Sequence, residues 1–231
     1  MRLQVFLSHN GVCSRRQAME VIQDGRVKVN GVKVIEPSFD VTGKEVIVVD
    51  GKAITVKSYV YVMLNKPVGY TTTKEDPHAS RIIMELLPAH LQHVAPVGRL
   101  DKDTEGLLLL TNDGDLAFKL THPKFHCGKT YELRFNGKFK DDQKKKIEQG
   151  VMIDGEKTAP CRIMYIKYND GQTSLSITIH EGKKRQIRRM FAECGFKLDH
   201  LKRIAMGPVK LGALPKGQWR LLEEKEIKSL S

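Results

Sequence analysis

The spacing of apolar positions changes several times along the chain, and each change predicts a different element. Apolar residues within 3–7 recur at helical spacing. A second helix is predicted after Ser14, because Ser14 and Gln17 have the spacing of a capping box and Gly25 is a natural C-terminal stop. Polar and apolar residues then alternate over 26–30, which predicts a strand.

Short strands continue to residue 49. Asn30-Gly31 is a two-residue hairpin signal, so 32–35 is predicted to pair with the preceding strand. A further strand is predicted over 45–49. Two helices and a small sheet within about fifty residues predict a compact α+β unit, and the boundary to the next unit is expected at residue 58.

The remainder of the chain mixes strands and helices. Strands are predicted at 59–64, 106–111, 128–135, 161–168 and 174–180, and helices near 82–87, 114–120, 140–149 and 184–194. Asn112-Asp-Gly suits either a hairpin turn or a helix start, and the helix is preferred because 119–123 lacks strand alternation. Segments within 197–222 are interpreted as edge strands. The fold class predicted for the chain is therefore α+β.

One polar loop precedes the most apolar strand. Residues 98–105 contain Asp101, Asp103 and Glu105, and four consecutive leucines follow at 107–110. A loop that enters a buried strand is held firmly from one side, so a carboxylate in it can face a cleft. For an arbitrary acidic loop, solvated side chains would be the simpler interpretation.

Charge identifies the kind of partner. The 231-residue chain has a formal net charge of +12. Residues 181–220 contain 11 lysines and arginines against 3 acids, a local surplus of +8. Such a focused surplus favours a polyanion, because lysine and arginine displace counterions from phosphates. No apolar run is long enough to cross a membrane and the N-terminus lacks a secretory signal, so a cytoplasmic protein without membrane contact is expected.

The sequence predicts no metal or cofactor site. The four cysteines form no Cys-x-x-Cys pair. His122 and His126 are four residues apart, but Pro123 between them argues against one continuous helix. Glycine-rich nucleotide-binding motifs are also missing from the sequence.

The N-terminal unit resembles the small RNA-binding domain first described in ribosomal protein S-four. The resemblance rests on the order of a helix, a Ser14-Arg-Arg helix start and Gly25-Arg-Val-Lys-Val-Asn-Gly31. It implies an RNA-binding domain at 1–58 that contacts RNA through four basic residues, namely Arg15, Arg16, Arg26 and Lys28.

The rest of the chain, 59–231, resembles RNA pseudouridine synthases of the RsuA/RluB type. The motifs that carry the resemblance are Lys66-Pro-Val-Gly69, Gly98-Arg-Leu-Asp101, Lys129-Thr-Tyr131, Glu181-Gly-Lys-Lys-Arg-Gln-Ile-Arg-Arg-Met190 and Leu201-Lys-Arg-Ile204. Each motif is weak alone, but their ordered set is specific. The family fold is a mixed, largely antiparallel sheet flanked by helices, with the active-site cleft across it.

The resemblance implies that the protein converts a uridine of ribosomal RNA into pseudouridine without a cofactor. Asp101 would act at the sugar, as a nucleophile or as a base that removes a sugar proton. Tyr131 would stack on the uracil, Arg188 would pair with Asp101, and Leu201 would line the pocket. Arg99 would fill the helical stack when the target base is extruded. The remaining residues expected to bind RNA are Lys66, Lys183, Lys184, Arg185, Arg189 and Arg203.

Three interpretations of the target remain at this point. Large-subunit ribosomal RNA is preferred, because the Arg-Gln-Ile-Arg-Arg-Met segment and the Leu214-Pro-Lys-Gly-Gln-Trp219 tail resemble that branch. The same chemistry on small-subunit RNA is an alternative. The other is a non-catalytic RNA-binding or ribosome-assembly protein that retains the scaffold. A monomer is expected.

Overall fold

A computed structural model describes residues 1–230, which fall into two compact units. The first unit comprises residues 1–60 together with 111–114, and the second comprises 61–110 and the chain from Asp115 onward. No helix within the described residues combines the length and apolar character that crossing a bilayer requires.

The first unit is a pair of helices with a small sheet. Its elements are α1 (Leu3–His9), α2 (Arg15–Gln23), β1 (Val27–Val29), β2 (Val32–Val34), β3 (Ile47–Val49) and β4 (Lys52–Ala53). The predicted capping box is confirmed, because the Ser14 and Gln17 side chains each bond the other's backbone amide. Asn30 and Gly31 both have positive φ, as the tight turn between β1 and β2 demands.

The rest of the described chain contains a large sheet, a separate two-stranded sheet formed by Met152–Ile153 and Glu156–Lys157, and four α-helices. Its strands are β5 (Tyr61–Lys66), β6 (Ala95–Pro96), β7 (Glu105–Thr111), β8 (Lys129–Asn136), β9 (Met152–Ile153), β10 (Glu156–Lys157), β11 (Arg162–Asn169), β12 (Gln172–Ile179), β13 (Leu198–Met206), β14 (Val209–Lys210) and β15 (Trp219–Leu221). Its helices are α3 (Gly114–Thr121), α4 (Asp141–Glu148), α5 (Gln186–Ala192) and α6 (Glu224–Leu230).

The large sheet runs in the order β11-β12-β8-β13-β7-β5-β15. Its strands β11, β12, β8 and β13 pair antiparallel, as do β5 and β15, whereas β13 and β7 pair in parallel. The α+β class with a mixed, largely antiparallel sheet is thus confirmed. The interpretation of 197–222 as edge strands holds for β15 but is wrong for β13. Local pattern does not reveal the pairing of β13 with β7 and β8, which are distant in sequence.

The β7–β13 pair explains Gly106, the glycine just before the four leucines of β7. Gly106 has φ +106°, and a Cβ built there would lie 2.2 Å from the backbone oxygen of Arg203. Only glycine permits this approach. All seven residues of β7 are buried, as the leucine run predicts.

Two of the predicted helices differ from the structure. The segment expected as a helix near 82–87 forms only a short 3₁₀ turn at Ile83–Leu86. The helix expected to begin at Lys184 begins at Gln186, because Arg185 adopts a left-handed conformation with φ +51° and cannot continue a helix. The preferred helix after Asn112 is confirmed as α3.

Candidate active site

A cleft of about 530 Å³ lies on the second unit, where the loop before β7 faces the segment before α5. Strands β8, β12 and β13 each contribute a side chain to its wall. The lining residues that the sequence also singled out are Arg99, Asp101, Tyr131, Lys183, Lys184, Arg185 and Leu201. The structure therefore brings together residues that are separated by up to 102 positions in the sequence, the difference between 201 and 99.

The loop that carries Asp101 is held through its backbone. Every carbonyl oxygen of residues 100–104 accepts a hydrogen bond. The Thr72 hydroxyl donates to the first carbonyl over 2.7 Å, and the Gly69 amide donates to the third over 2.7 Å. A loop without free carbonyls has little freedom to move, so the Asp101 side chain starts from a fixed position.

Lys66 is the buried centre of this arrangement. Its side chain is fully buried, and its ammonium donates to the carbonyls of Asp101 (3.1 Å), Thr104 (2.9 Å) and Pro67 (3.1 Å). Burial lowers the pKa of Lys66 to about 8, although the nearby carboxylates act in the opposite direction. The expectation that Lys66 binds RNA is corrected here, because an ammonium fully buried on three carbonyls cannot reach a phosphate.

Arg203 requires the same correction. Its side chain is only 2% exposed, and its Nε donates to the Leu107 carbonyl over 2.7 Å. The guanidinium therefore stabilises the junction of β13 and β7 from inside the sheet. It presents no charge to RNA.

Tyr131 and Leu201 form the apolar part of the cleft wall. Tyr131 lies on β8, where Tyr131, Leu133 and Phe135 alternate inward as predicted, and it is 7% exposed. Leu201 lies on the neighbouring strand β13 and is 5% exposed. Both line the cleft with Asp101, so a flat apolar group bound there would lie within reach of a carboxylate.

Two arginines of the Glu181–Met190 motif, Arg185 and Arg188, pair with Asp103. Arg185 binds the Asp103 carboxylate through two hydrogen bonds of 2.9 Å. The Arg188 Nε lies 3.2 Å from the same carboxylate, and its terminal nitrogen donates to the Asp103 carbonyl over 2.7 Å. The expected pairing of Arg188 with Asp101 is therefore wrong for this structure, since the carboxylate beside Arg188 belongs to Asp103 and its hydrogen bonds go to the carbonyls of Asp103 and Leu198.

These contacts place Asp103 and Asp101 in different environments. Partial burial alone would raise the pKa of Asp103, but the hydrogen bonds from Arg185 and the charge of Arg188 outweigh it, so the pKa lies below its ordinary value. Within residues 1–230 the Asp101 carboxylate makes no hydrogen bond or ion pair, and it lines the cleft. One aspartate thus anchors the loop while the other is available to a ligand.

Two sequence comparisons and one structural comparison identify the family. Residues 60–193 match the model of the RNA pseudouridylate synthase family, and residues 1–47 match the S4 domain. The chain is 40% identical to "Ribosomal large subunit pseudouridine synthase B" of Bacillus subtilis (strain 168) over 99% of this chain and 95% of that one. It is also 40% identical to an RNA pseudouridine synthase of Aquifex aeolicus (strain VF5), over 100% of this chain and 93% of the relative.

The chain belongs to the RNA pseudouridine synthase family. A crystal structure of a pseudouridylate synthase, 32% identical, matches this synthase with a TM-score of 0.72 and covers 100% of both chains. The resemblance seen in the motifs is confirmed, and the protein is an isomerase that acts on RNA.

The other basic residues expected to bind RNA differ in their availability. In this synthase Arg99 and Lys184 are exposed, and both line the cleft. Lys183 pairs with Glu156 over 2.7 Å. Arg189 lies outside the cleft lining, and its guanidinium pairs with Asp154.

The S4 domain carries its basic residues on the surface. Arg15 and Arg16 are exposed in the first turn of α2, and Lys28 is exposed on β1. Arg26 is also exposed, but it makes two hydrogen bonds to the Asp50 carboxylate. Within residues 1–230, Arg15, Arg16 and Lys28 thus make no ion pair with an acid, whereas Arg26 pairs with Asp50.

Sequence interpretation missed two residues that line the cleft of this synthase, Thr104 and Gln186, and one that supports it from behind, Thr72. Thr72 holds the carbonyl before Asp101 and could be found only from the fold. Gln186 is buried and bridges Glu181 to the Lys183 amide, a link that the Glu-Gly-x-x-Arg-Gln spacing hints at. Thr104 lines the cleft, and within residues 1–230 its buried hydroxyl has no hydrogen-bond partner.

Side chains suited to a metal ion do not cluster in this part of the molecule. Within the described residues, no group of three or more histidine, cysteine, aspartate or glutamate side chains is arranged to hold one.

Proposed function

We propose that this synthase converts a specific uridine of large-subunit ribosomal RNA into pseudouridine. The observation that carries the proposal is the cleft in which Asp101, Tyr131, Arg99 and Leu201 meet. The choice of RNA is supported by the Bacillus subtilis relative, whose name specifies the ribosomal large subunit and whose sequence aligns over 99% of this chain.

The reaction breaks the N-glycosidic bond of the uridine, turns the uracil and joins its C5 carbon to the same sugar. Asp101 acts at the sugar, either by attacking it or by removing one of its protons. Both roles need an ionised carboxylate at a fixed distance from the sugar. The hydrogen-bonded carbonyls of 100–104 support this, because a rigid loop reduces the entropy cost of reaching the reactive geometry.

Tyr131 and Leu201 bind the uracil. A buried aromatic ring beside an aliphatic side chain suits a flat base. In this proposal Tyr131 also receives the C5 proton in the last step. Arg99 is exposed at the cleft and replaces the extruded base in the RNA stack. Because the uracil is both leaving group and returning nucleophile, the reaction needs no cofactor.

Arg188 contributes to catalysis through the loop. It bonds the Asp103 carbonyl and lies beside the Asp103 carboxylate, two residues from Asp101. We assign it a positioning role, which replaces the direct pairing with Asp101 expected from the sequence.

Residues 1–58 form a separate RNA clamp, and 59–231 form the catalytic domain. Arg15, Arg16 and Lys28 supply exposed positive charge in the first, and Lys184 and Arg99 supply it at the cleft. The protein acts as a monomer in the cytoplasm during ribosome biogenesis, on free RNA or on an assembling subunit.

Pseudouridine mapping tests the function directly. Ribosomal RNA is mapped in cells that carry the gene, lack it, or carry an Asp101→Asn version. We expect one large-subunit pseudouridine to vanish in the second and third strains. Loss of a small-subunit site instead would redirect the target, and an unchanged map in all three strains would overturn the proposal.

A further inference from the structure

We infer that an exposed aromatic cluster beside the cleft is a stacking site for unpaired bases of the RNA substrate. The cluster consists of Phe118 on α3, with His122 and Phe125 in the turn that follows it. The inference rests on the RNA substrate of the family and not on which ribosomal RNA is modified.

The three rings contact one another and remain open to solvent. The Phe118 and His122 centroids are 4.7 Å apart, those of Phe118 and Phe125 are 5.8 Å apart, and those of His122 and Phe125 are 6.3 Å apart. Phe118 is 48% exposed and Phe125 is 43% exposed. Single exposed apolar residues are common, but two phenylalanines and a histidine in mutual contact form a patch.

Local packing does not account for Phe118. Helix α3 buries Leu116 and Leu120 against the core, and Phe118, midway between them, lies on the exposed side of the helix. The two leucines therefore account for the packing of α3 against the core, and the exposed aromatic ring at 118 needs another explanation.

The charge of the patch is that of a nucleic-acid site. The Lys124 Nζ lies 5.3 Å from the Phe118 centroid and 4.7 Å from the Phe125 centroid. Residues 116–126 contain two lysines and two histidines but no acid. Aromatic rings interleaved with lysine recognise single-stranded nucleic acid, because the rings stack on bases while the ammonium meets the phosphates.

Two contacts join the segment that carries the patch to segments that flank the cleft. A Cβ built on Gly98, next to Arg99 of the cleft, would lie 3.4 Å from the Thr121 side chain at the end of α3. The His126 carbonyl, one residue after Phe125, lies 2.8 Å from the His180 Nδ1, two residues before Gly182 of the cleft wall. RNA whose target base enters the cleft would thus pass its flanking nucleotides over the rings.

The test uses the full chain and a short single-stranded RNA that carries 2-aminopurine, whose fluorescence is quenched when it stacks. We expect Phe118→Ala/Phe125→Ala to weaken RNA binding by about 5- to 150-fold, the range for loss of stacking on one base. The quenching should be lost in parallel. On a modifiable transcript, KM should rise while kcat at saturating RNA stays within about twofold of the parent.

Matched variants separate stacking from apolar packing. Phe118→Trp/Phe125→Trp should retain binding, whereas Phe118→Leu/Phe125→Leu, which keeps apolar bulk, should lose it. The control is Tyr165→Ala/Tyr168→Ala, which removes two exposed aromatics from the edge strand β11 and should leave binding unchanged.

Three results would overturn the inference. They are binding within twofold of the parent for the double alanine variant, parental binding and quenching by the leucine variant, or self-association of the parent that these variants abolish without affecting RNA. If the assigned ribosomal target were wrong, the parent would leave the transcript unmodified. The quenching experiment would still report whether the RNA bases stack on the rings.

Discussion

Two sets of basic side chains in this protein have opposite environments. Lys66 and Arg203 are almost completely buried, and the Lys66 ammonium and the Arg203 Nε donate to backbone carbonyls. Arg15, Arg16 and Lys28 are exposed on the first unit. The comparison teaches that a basic residue in an RNA-modifying motif need not meet RNA. In the buried set, Lys66 holds the loop that carries Asp101 and Arg203 holds β7 next to it, and we propose that the exposed set contacts the RNA.

The largest loss of turnover is expected at Asp101, in the loop that Lys66 holds. Asp101→Asn keeps the size of the side chain but removes the charge needed to attack the sugar or accept its proton. We expect turnover to fall by several orders of magnitude, each factor of ten corresponding to about 1.4 kcal/mol of barrier. RNA affinity should stay constant or rise slightly. Tritium release from C5-labelled uridine and a binding assay measure the two quantities.

The matched control is Asp170→Asn, the same chemical change in the exposed turn between β11 and β12, where asparagine suits the φ of +49°. It should leave turnover unchanged. Near-parental tritium release by Asp101→Asn with normal binding would instead favour a non-catalytic RNA-binding protein.

Lys66→Met should affect chemistry more than binding. Methionine preserves the apolar stem but leaves the carbonyls of Pro67 and Thr104 without their donor, while the Asp101 carbonyl keeps only the Thr104 amide. Loss of a buried partner costs about 1–3 kcal/mol per group, so we expect the unfolding free energy to drop by about 2–5 kcal/mol. Turnover per folded molecule should fall roughly 100-fold as the loop loosens. Denaturant titration and tritium release check these values.

Lys184→Met is the counterpart from the exposed side of the cleft. It should raise KM for RNA and leave stability unchanged. A Lys66→Met protein that keeps kcat but loses RNA affinity would show that Lys66 belongs with the exposed set after all.

Asp103→Asn tests whether the ion pairs of Arg185 and Arg188 with Asp103 hold the loop that carries Asp101. The change removes the charge that holds Arg185 and Arg188, although both arginines remain. Because this pair is partly exposed, we expect only a three- to tenfold loss of turnover, about 0.7–1.4 kcal/mol. Binding should not weaken, since two freed guanidiniums remain near the cleft. Parental turnover at high and low salt would show that Asp103 is a passive surface acid.

Arg15→Gln/Arg16→Gln should remove phosphate contacts of the exposed set and leave the buried set unchanged. Each residue lost from a phosphate contact reduces the slope of log affinity against log salt by about one, so the double variant should lose about two. Affinity at moderate salt should fall several-fold while kcat at saturating RNA is retained. The experiment is RNA binding over a range of salt concentrations, and an unchanged slope would rule out phosphate contacts at these positions.

The smallest effect is a pH dependence of the unfolding free energy that comes from Lys66. The folded pKa of Lys66, about 8, lies below its unfolded value near 10.4. Between these values the unfolded chain binds more protons, so this residue makes the unfolding free energy rise with pH. The difference in unfolding free energy between parent and Lys66→Met should therefore shift in favour of the parent from pH 7.5 to 9.5. A difference that is constant with pH would place the Lys66 ammonium in a solvated site.

Local elements followed from the sequence because short-range chemistry controls them. The Ser14 capping box, the Asn30-Gly31 turn, the buried leucine strand and the alternation of Tyr131, Leu133 and Phe135 depend on neighbours a few residues away. The sequence motifs also identified residues of the cleft lining, since Asp101, Tyr131, Arg99 and Leu201 all line it.

Tertiary structure alone decided which charges are buried and which partner each takes. Strand β13 lies in the middle of the sheet because it pairs with β7 and β8, and that pairing buries Arg203. Lys66 is buried because its strand ends beneath the loop 100–104, and Arg188 meets Asp103 across 85 positions of sequence. These outcomes depend on desolvation and on distances between remote segments, whereas a sequence motif records only that a charge is present.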